Sequence, residues 1–414
     1  MSEQEKVDMR LRRMRTAALW VVGIAVFTDM LIYGLIVPIL PHYSSMLGAS
    51  QSAIGLLFGS YAAALLLATP IMGVWSDRVG RRIPMIVGLF GLGAATLLFG
   101  FSEQFEWLIV ARVLQGIAAA ATWTAGLALL ADLYPAEQRG RAMGIALSGQ
   151  AAGMLLGPTI GGWLYEWGGY TLPFIVAALL AFIDGGLRIF LLREREPSLS
   201  TASLADGASV PFDASTKPKM GSLLRKPQML LLTGTIVIGA GISASLEPTL
   251  PLYLHQQFSS TAATIGMLFA IPTIAYGVCT PIIGGLSLRI GGTRTSIIGM
   301  LIAAVVLPCL TITNALAVVC LLLALLGISF SLILTPTLPA LASLADDHGS
   351  HAYGLTFAVY NIAYSAGMFI GPTASGWLTE QYTFLWALIV LGFLSAFYAL
   401  LLILKSKKSS YTAK

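Results

Sequence analysis

Residues Trp20 to Leu40 read WVVGIAVFTDMLIYGLIVPIL, an apolar run interrupted by one carboxylate, Asp29. A helix of about twenty apolar residues crosses the roughly 30 Å hydrocarbon layer of a bilayer. With the span starting near residue 16, Asp29 lies about 20 Å along it at about 1.5 Å per residue, close to mid-depth. Placing a charged side chain there costs about 2.5–3.5 kcal/mol on insertion scales. A chain that keeps such a group is expected to use it, for a cation, a proton, or both in turn.

The rest of the composition agrees with this reading. Of 414 residues, 57% are hydrophobic and only 10% are charged, against roughly 25% charged in soluble domains. That balance describes a polytopic membrane protein and excludes a soluble enzyme. The net charge of +5 does not form a stripe for nucleic acid, because the basic residues sit in short segments between apolar runs. Cys279, Cys309 and Cys320 fall inside the spans without metal-ligand or disulfide spacing, and they read as buried thiols. The first apolar run is too long for a signal segment and is expected to be retained. His42, His255, His348 and His351 lie at loop edges and form no cluster. No nucleophile–base pair and no nucleotide loop is visible. No enzyme activity, cofactor or metal is therefore expected.

Twelve spans can be marked: 16–40, 53–75, 83–101, 107–131, 141–165 and 170–192, then 229–254, 263–288, 295–313, 316–342, 352–378 and 383–404. The expected fold is an all-α membrane protein of two six-helix bundles, residues 1–192 and 229–414, joined by a cytoplasmic linker at 193–228 that is rich in Ser, Pro and charge. Lys and Arg set the orientation. Arg10, Arg12, Arg13, Arg15, Arg78, Arg81, Arg82, Arg139, Arg141, Arg289 and Arg294 collect on one side with the linker and the C-terminal lysines, and the opposite loops carry none. Both termini are expected in the cytoplasm.

The halves repeat. Pro70-Ile-Met-Gly73 with Arg78-Val-Gly80 returns as Pro281-Ile-Ile-Gly284 with Arg289-Ile-Gly291. Gly157-Pro158-Thr159 returns as Gly371-Pro372-Thr373, and Pro38-Ile-Leu-Pro41 as Pro248-Thr-Leu-Pro251. Two related bundles support alternating access, in which they rock about a midplane site. A channel would need a pore-lining ring or a filter loop, and none is seen.

Gly73-Val-Trp-Ser-Asp77-Arg78-Val-Gly80-Arg81-Arg82 resembles the signature loop of the major facilitator superfamily, with every defining position filled. Gly149 to Gly162 (GQAAGMLLGPTIGG) resembles the motif of its drug:proton antiporter branch. There the small residues let helices approach closely and Pro158 bends the span. Arg112-Val-Leu-Gln115-Gly116, Gly140 to Gly149, Leu164-Tyr165-Glu166, Asp184-Gly185 and Leu246-Glu247-Pro248-Thr-Leu-Pro251 are similar to the vesicular monoamine and acetylcholine transporters. The resemblance implies that Asp29 is an amine-binding aspartate, that Arg112 and Glu247 are a buried charged pair, and that Tyr276 and Tyr364 are aromatic gates. Asp77 and Arg78 are implied at the cytoplasmic gate.

There are departures. Tyr61 stands where the vesicular proteins place a lysine, and Leu334 and Asn361 occupy their acidic positions. The long loop after the first span is absent. A bacterial relative in the plasma membrane fits this pattern better than an animal vesicular protein.

The expected activity is proton-coupled antiport that exports organic cations, monoamine-like compounds or cationic drugs. Asp29 and Glu247 carry proton and amine, with Tyr33, Trp123, Asn361 and Tyr364 also lining the substrate site. Aromatic faces would supply cation–π contacts, each worth about 0.5–2 kcal/mol. Asp29 is expected to open alternately to the two compartments. An Arg112–Glu247 pair across the bundles is expected to close the outer side. Asp184 and Arg188, four apart, read as a structural ion pair, and Asp132 as a cytoplasmic-gate group near Arg139 and Arg141. The alternative is a broad exporter of neutral or anionic compounds, or a proton symporter of a small polar solute, with Arg112 touching the substrate. The partners expected are the bilayer, protons and a small organic cation, with no nucleic acid and a monomeric chain.

Overall fold

The computed structural model describes residues 3–191, 227–346 and 353–412, and the expected linker lies outside the described residues. The first bundle comprises α1 (Glu3–Leu35), α2 (Leu40–Met46), α3 (Gln51–Val79), α4 (Arg82–Gly100), α5 (Phe105–Leu133), α6 (Ala136–Gly168) and α7 (Thr171–Leu191). The second comprises α8 (Pro227–Ser245), α9 (Leu250–Phe258), α10 (Ala262–Ile290), α11 (Gly292–Cys309), α12 (Leu316–Leu334), α13 (Thr337–Asp346), α14 (Tyr353–Gln381) and α15 (Phe384–Thr412). Ten segments among the described residues are long and apolar enough to cross a membrane by composition. α6 and α14 complete the twelve spans. They run 33 and 29 residues, and their glycine, proline and polar content lowers their mean hydropathy.

Three spans differ from their sequence outlines. The first and seventh are broken at residues 36–39 and 246–249, and the tenth between Leu334 and Thr337. Pro38, Pro248 and Pro336 explain the breaks, because each lacks an N–H and clashes with the preceding turn. The short helices α2 and α9 therefore form separate tips on α1 and α8. Elsewhere the helices outrun the apolar stretch, as at α3, whose N-cap Ser50 accepts the Ala53 N–H at 3.3 Å.

Each bundle has its own apolar centre. Leu31, Leu35, Ile54, Phe58, Leu89 and Phe174 build one, and Leu246, Leu268, Leu307, Leu326 and Leu388 build the other. The bundles meet along α3 with α14 and α6 with α10. Their closest approaches lie away from the loops that carry Arg78 and Arg289, at the end here called the far end. A Cβ at Gly55 would strike the Pro372 carbonyl, one at Gly162 the Ala262 carbonyl, and one at Gly376 the Gln51 carbonyl. Toward the basic end these approaches stop, and Gly277, Gly284 and Gly285 have nothing within 4 Å of where a Cβ would sit. The two bundles form a V, closed at the far end.

Candidate functional site

Asp29 sits on α1 at the vertex of the V and is 1% exposed. Its Oδ2 accepts the Tyr61 hydroxyl at 2.9 Å and the Trp123 indole N–H at 2.8 Å. Its Oδ1 is buried without a partner. A buried carboxylate with one oxygen unmatched is expensive unless something else occupies that side. Trp123, partly buried, packs in one cluster with Leu65, Met154 and Tyr364. Asp29 therefore faces the bundle interface, away from lipid, but it is shielded in this state. In this state the Trp123 indole N–H and the Tyr61 hydroxyl hold the carboxylate.

Glu247 comes from the other bundle, in the turn that breaks α8 from α9. Its Oε2 accepts the Tyr33 hydroxyl at 2.5 Å. Arg112, fully buried on α5, does not pair with it; among the described residues Tyr33 stands between them. The guanidinium carbon lies 5.0 Å from the Tyr33 ring centroid, 5.3 Å from Phe58 and 5.4 Å from Tyr61. One guanidinium nitrogen reaches Gln115 Oε1 at 3.4 Å, and Gln115 in turn donates to Thr96 at 3.0 Å. Nε and the second terminal nitrogen have no partner. The direct Arg112–Glu247 gate is thus replaced by a stack. The Tyr33 and Tyr61 rings, 5.0 Å apart, share one cation, and each hydroxyl serves one carboxylate. Asp29 and Glu247 are linked from bundle to bundle through Tyr61, Arg112 and Tyr33. Tyr61, noted in the sequence only as a departure, is the residue whose role sequence reasoning missed.

Tyr364 joins the interface cluster with Met30, Tyr33 and Tyr61, and it stacks on Tyr360 at 6.0 Å. Tyr276, partly buried on α10, packs in a cluster with Tyr364. Asn361, Tyr364 and Met368 share one face of α14 by helical spacing. Met368 is buried in the interface, and Asn361 is exposed nearer the basic end.

At the basic end Arg81 pairs with Asp77, beside Arg78. Arg81 binds Asp77 and Ser76, and its Nε reaches Asp132 at 2.9 Å. Gly80, at φ +86, turns the chain so that Arg81 swings back over α3. Asp132 thereby has Arg81 as its partner. Asp184 and Arg188 do form a buried pair at 3.1 Å, and Arg188 also donates to the Val21 carbonyl of α1. The three cysteines are free thiols, partly buried.

The model of the Major Facilitator Superfamily matches residues 22–258 and 232–414. The chain belongs to that superfamily. This superfamily member is 34% identical over 347 residues to the chromaffin granule amine transporter of Rattus norvegicus, covering 84% of this chain but 64% of that protein. It is 32% identical over 349 residues to the synaptic vesicular amine transporter of Homo sapiens, covering 84% and 65%. The chain thus spans less than two thirds of the length of these relatives. An uncharacterised MFS-type transporter, C18.02, of Schizosaccharomyces pombe is matched at 30% identity over 94% of this chain and 95% of that one. Among solved structures, a bacterial homologue of the human lysosomal transporter Spinster, in an inward-facing and occupied conformation, superposes with TM-score 0.79. It has 16% identity and covers 95% of this chain and 97% of that one. That likeness shows the shared fold, and the family match with the long apolar helices makes this chain an integral membrane protein.

Proposed function

We propose that the chain is a proton-coupled antiporter that exports organic cations, monoamine-like compounds or cationic drugs, by alternating access. The basic end faces the cytoplasm, so the cleft opens inward and the closed far end is the outer side. One observation carries the reading: two buried carboxylates from opposite bundles, Asp29 and Glu247, joined through a tyrosine–arginine–tyrosine stack at the vertex of the cleft.

A carboxylate here binds a proton or an ammonium group, and the two compete. Trp123 is the lid. When its indole swings off Asp29, the ring face remains beside the carboxylate to receive a cation. Because Glu247 belongs to the second bundle, its protonation changes the bond to Tyr33 and hence the contact between bundles. Asn361, Tyr276 and Tyr364 line the cleft, and Arg112 holds Tyr33 and Tyr61. The domain division at 193–228 follows from the same reading. The likeness to vesicular amine transporters supports the substrate class, and the carboxylates support proton coupling.

Proteoliposomes with an imposed proton gradient test this directly. Uptake of a cationic amine or dye requires the gradient in the native protein and is lost in Asp29→Asn. Native rates in that variant would defeat the reading.

The unpaired nitrogens of Arg112 favour a second reading, in which an anionic or neutral solute meets the guanidinium and Asp29 carries only protons. Displacement of a bound cation by protons distinguishes the two.

A further inference from the structure

The far end holds two contacts that the transport reading leaves unused. Glu166, near the end of α6, accepts the backbone N–H of Ala263 in the first turn of α10 at 3.0 Å. Glu380, near the end of α14, accepts the backbone N–H of Ser52 in the first turn of α3 at 2.7 Å. α6 and α3 belong to the first bundle, and α10 and α14 to the second. Each bundle therefore reaches once into a helix start of the other. The separation of Glu166 from Glu380, and of Ser52 from Ala263, follows the repeat offset of the sequence.

The first N–H groups of a helix have no intrahelical partner, and the helix start favours negative charge. Both helices also cap themselves. Ser50 accepts from Ala53 at 3.3 Å and Thr261 from Thr264 at 3.4 Å. Those caps survive any movement of the bundles, whereas the two glutamate contacts exist only while the far end is shut. Just below them the helices touch backbone to backbone, Gly376 against Gln51 and Gly162 against Ala262, so closing the V is what brings each carboxylate to its donor.

We propose that Glu166 and Glu380 form a two-fold carboxylate latch that selects the far-end-closed state and must release in each cycle. This rests on the alternating-access reading, and it assigns a role to two residues at the rim, remote from Asp29 and Glu247. The latch is symmetric in position but its arms differ in setting. Glu380 is held below the usual carboxylate range by its hydrogen bonds from the Ser52 side chain and backbone. Each arm is exposed enough to exchange with water, which suits a catch that opens on every turnover.

The test is the distance between spin labels at Met46→Cys on α2 and Gln256→Cys on α9. It uses the full chain in lipid nanodiscs, with Cys279, Cys309 and Cys320 replaced by serine. Glu166→Ala and Glu380→Ala are each expected to raise the far-end-open fraction about two- to fivefold, and together about tenfold. Glu106→Ala, on the same end but within one bundle, leaves it unchanged. Ala263→Pro deletes the donor and keeps Glu166. Proline is tolerated in a first helical turn, so this variant reproduces the Glu166→Ala shift. A lower melting temperature with an unaltered distance distribution in all these variants overturns the latch. A shifted distribution in a protein that shows no proton-driven transport keeps the latch and removes the transport reading.

Discussion

Tyr33 of the first bundle donates its hydroxyl to Glu247 of the second at 2.5 Å, while its ring lies under the Arg112 guanidinium at 5.0 Å. One side chain thus touches the charge of its own bundle with its face and the charge of the other with its edge. Moving the bundles apart must break the hydroxyl contact and leave the stack intact.

Tyr33→Phe separates these two roles. It keeps the ring over Arg112 and leaves Glu247 without its donor. A hydrogen bond to a charged group is worth about 1.5–3 kcal/mol, so the proton-driven transport rate is expected to change at least about tenfold. Folding, followed by thermal melting in detergent, should change little. An unchanged rate would mean that Glu247 draws nothing from Tyr33.

Gly55→Ala tests the crossing of α3 and α14. A Cβ there meets the Pro372 carbonyl and comes within 3.1 Å of the Gly376 Cα, and backbone cannot step aside. The variant is expected to fold but to keep its far end ajar, read as faster labelling of a cysteine placed at that rim. Gly144→Ala, where a Cβ meets nothing within 4 Å, is the control. It leaves labelling unchanged, and alanine is about 1 kcal/mol better than glycine in a helix.

The imidazoles of His42 and His255 sit 4.7 Å apart across the bundles at the far end. Burial first, and His255 second, hold the His42 value below the ordinary 6.5. His255 also has its Nδ1 at 3.1 Å from the Ser260 carbonyl. The neutral form of His42 is therefore the one that closure prefers, and on separation His42 regains the ordinary value. Closure is fully supported above 6.5 and weakens as pH falls below it, until the lowered value is passed. The far-end-open fraction should rise on acidifying from pH about 7.5 to about 5.5. His42→Gln should flatten that rise; an identical rise in the variant would assign it to other groups.

Arg188→Met removes one partner of a pair buried at 1% and 7% side-chain exposure. Breaking a buried pair costs about 3–5 kcal/mol, so a sharp fall in melting temperature is expected. Asp184→Leu combined with Arg188→Met should recover much of it, because no unmatched charge remains. No recovery in the double variant would place the loss in the Arg188 bond to Val21, which joins α7 to α1.

Much of the fold was legible because membrane spans announce themselves by length and apolarity, and because Asp29 and Glu247 are conspicuous in apolar surroundings. Pro38 and Pro248 were visible as a repeat, but whether a proline bends a helix or divides it depends on what receives the freed carbonyls, and that is tertiary. The partners were harder. Tyr61 reaches Asp29 only because α3 packs on α5, whose Trp123 holds the same carboxylate oxygen. Arg81 reaches Asp77 and Asp132 because Gly80 reverses the chain before it. The contacts of Glu166 and Glu380 have no local sequence signal, since their donors lie in the opposite bundle.

The breaks at residues 36–39 and 246–249 separate the tips α2 and α9 from the shafts α1 and α8, with Asp29 on the first shaft and Glu247 in the second break. Shafts and tips then need not swing together. The shafts can draw in around a captured solute while the tips stay docked. On the proposed transport reading this adds an airlock stage, shut on both sides, with Glu247 seated in one of the two hinges.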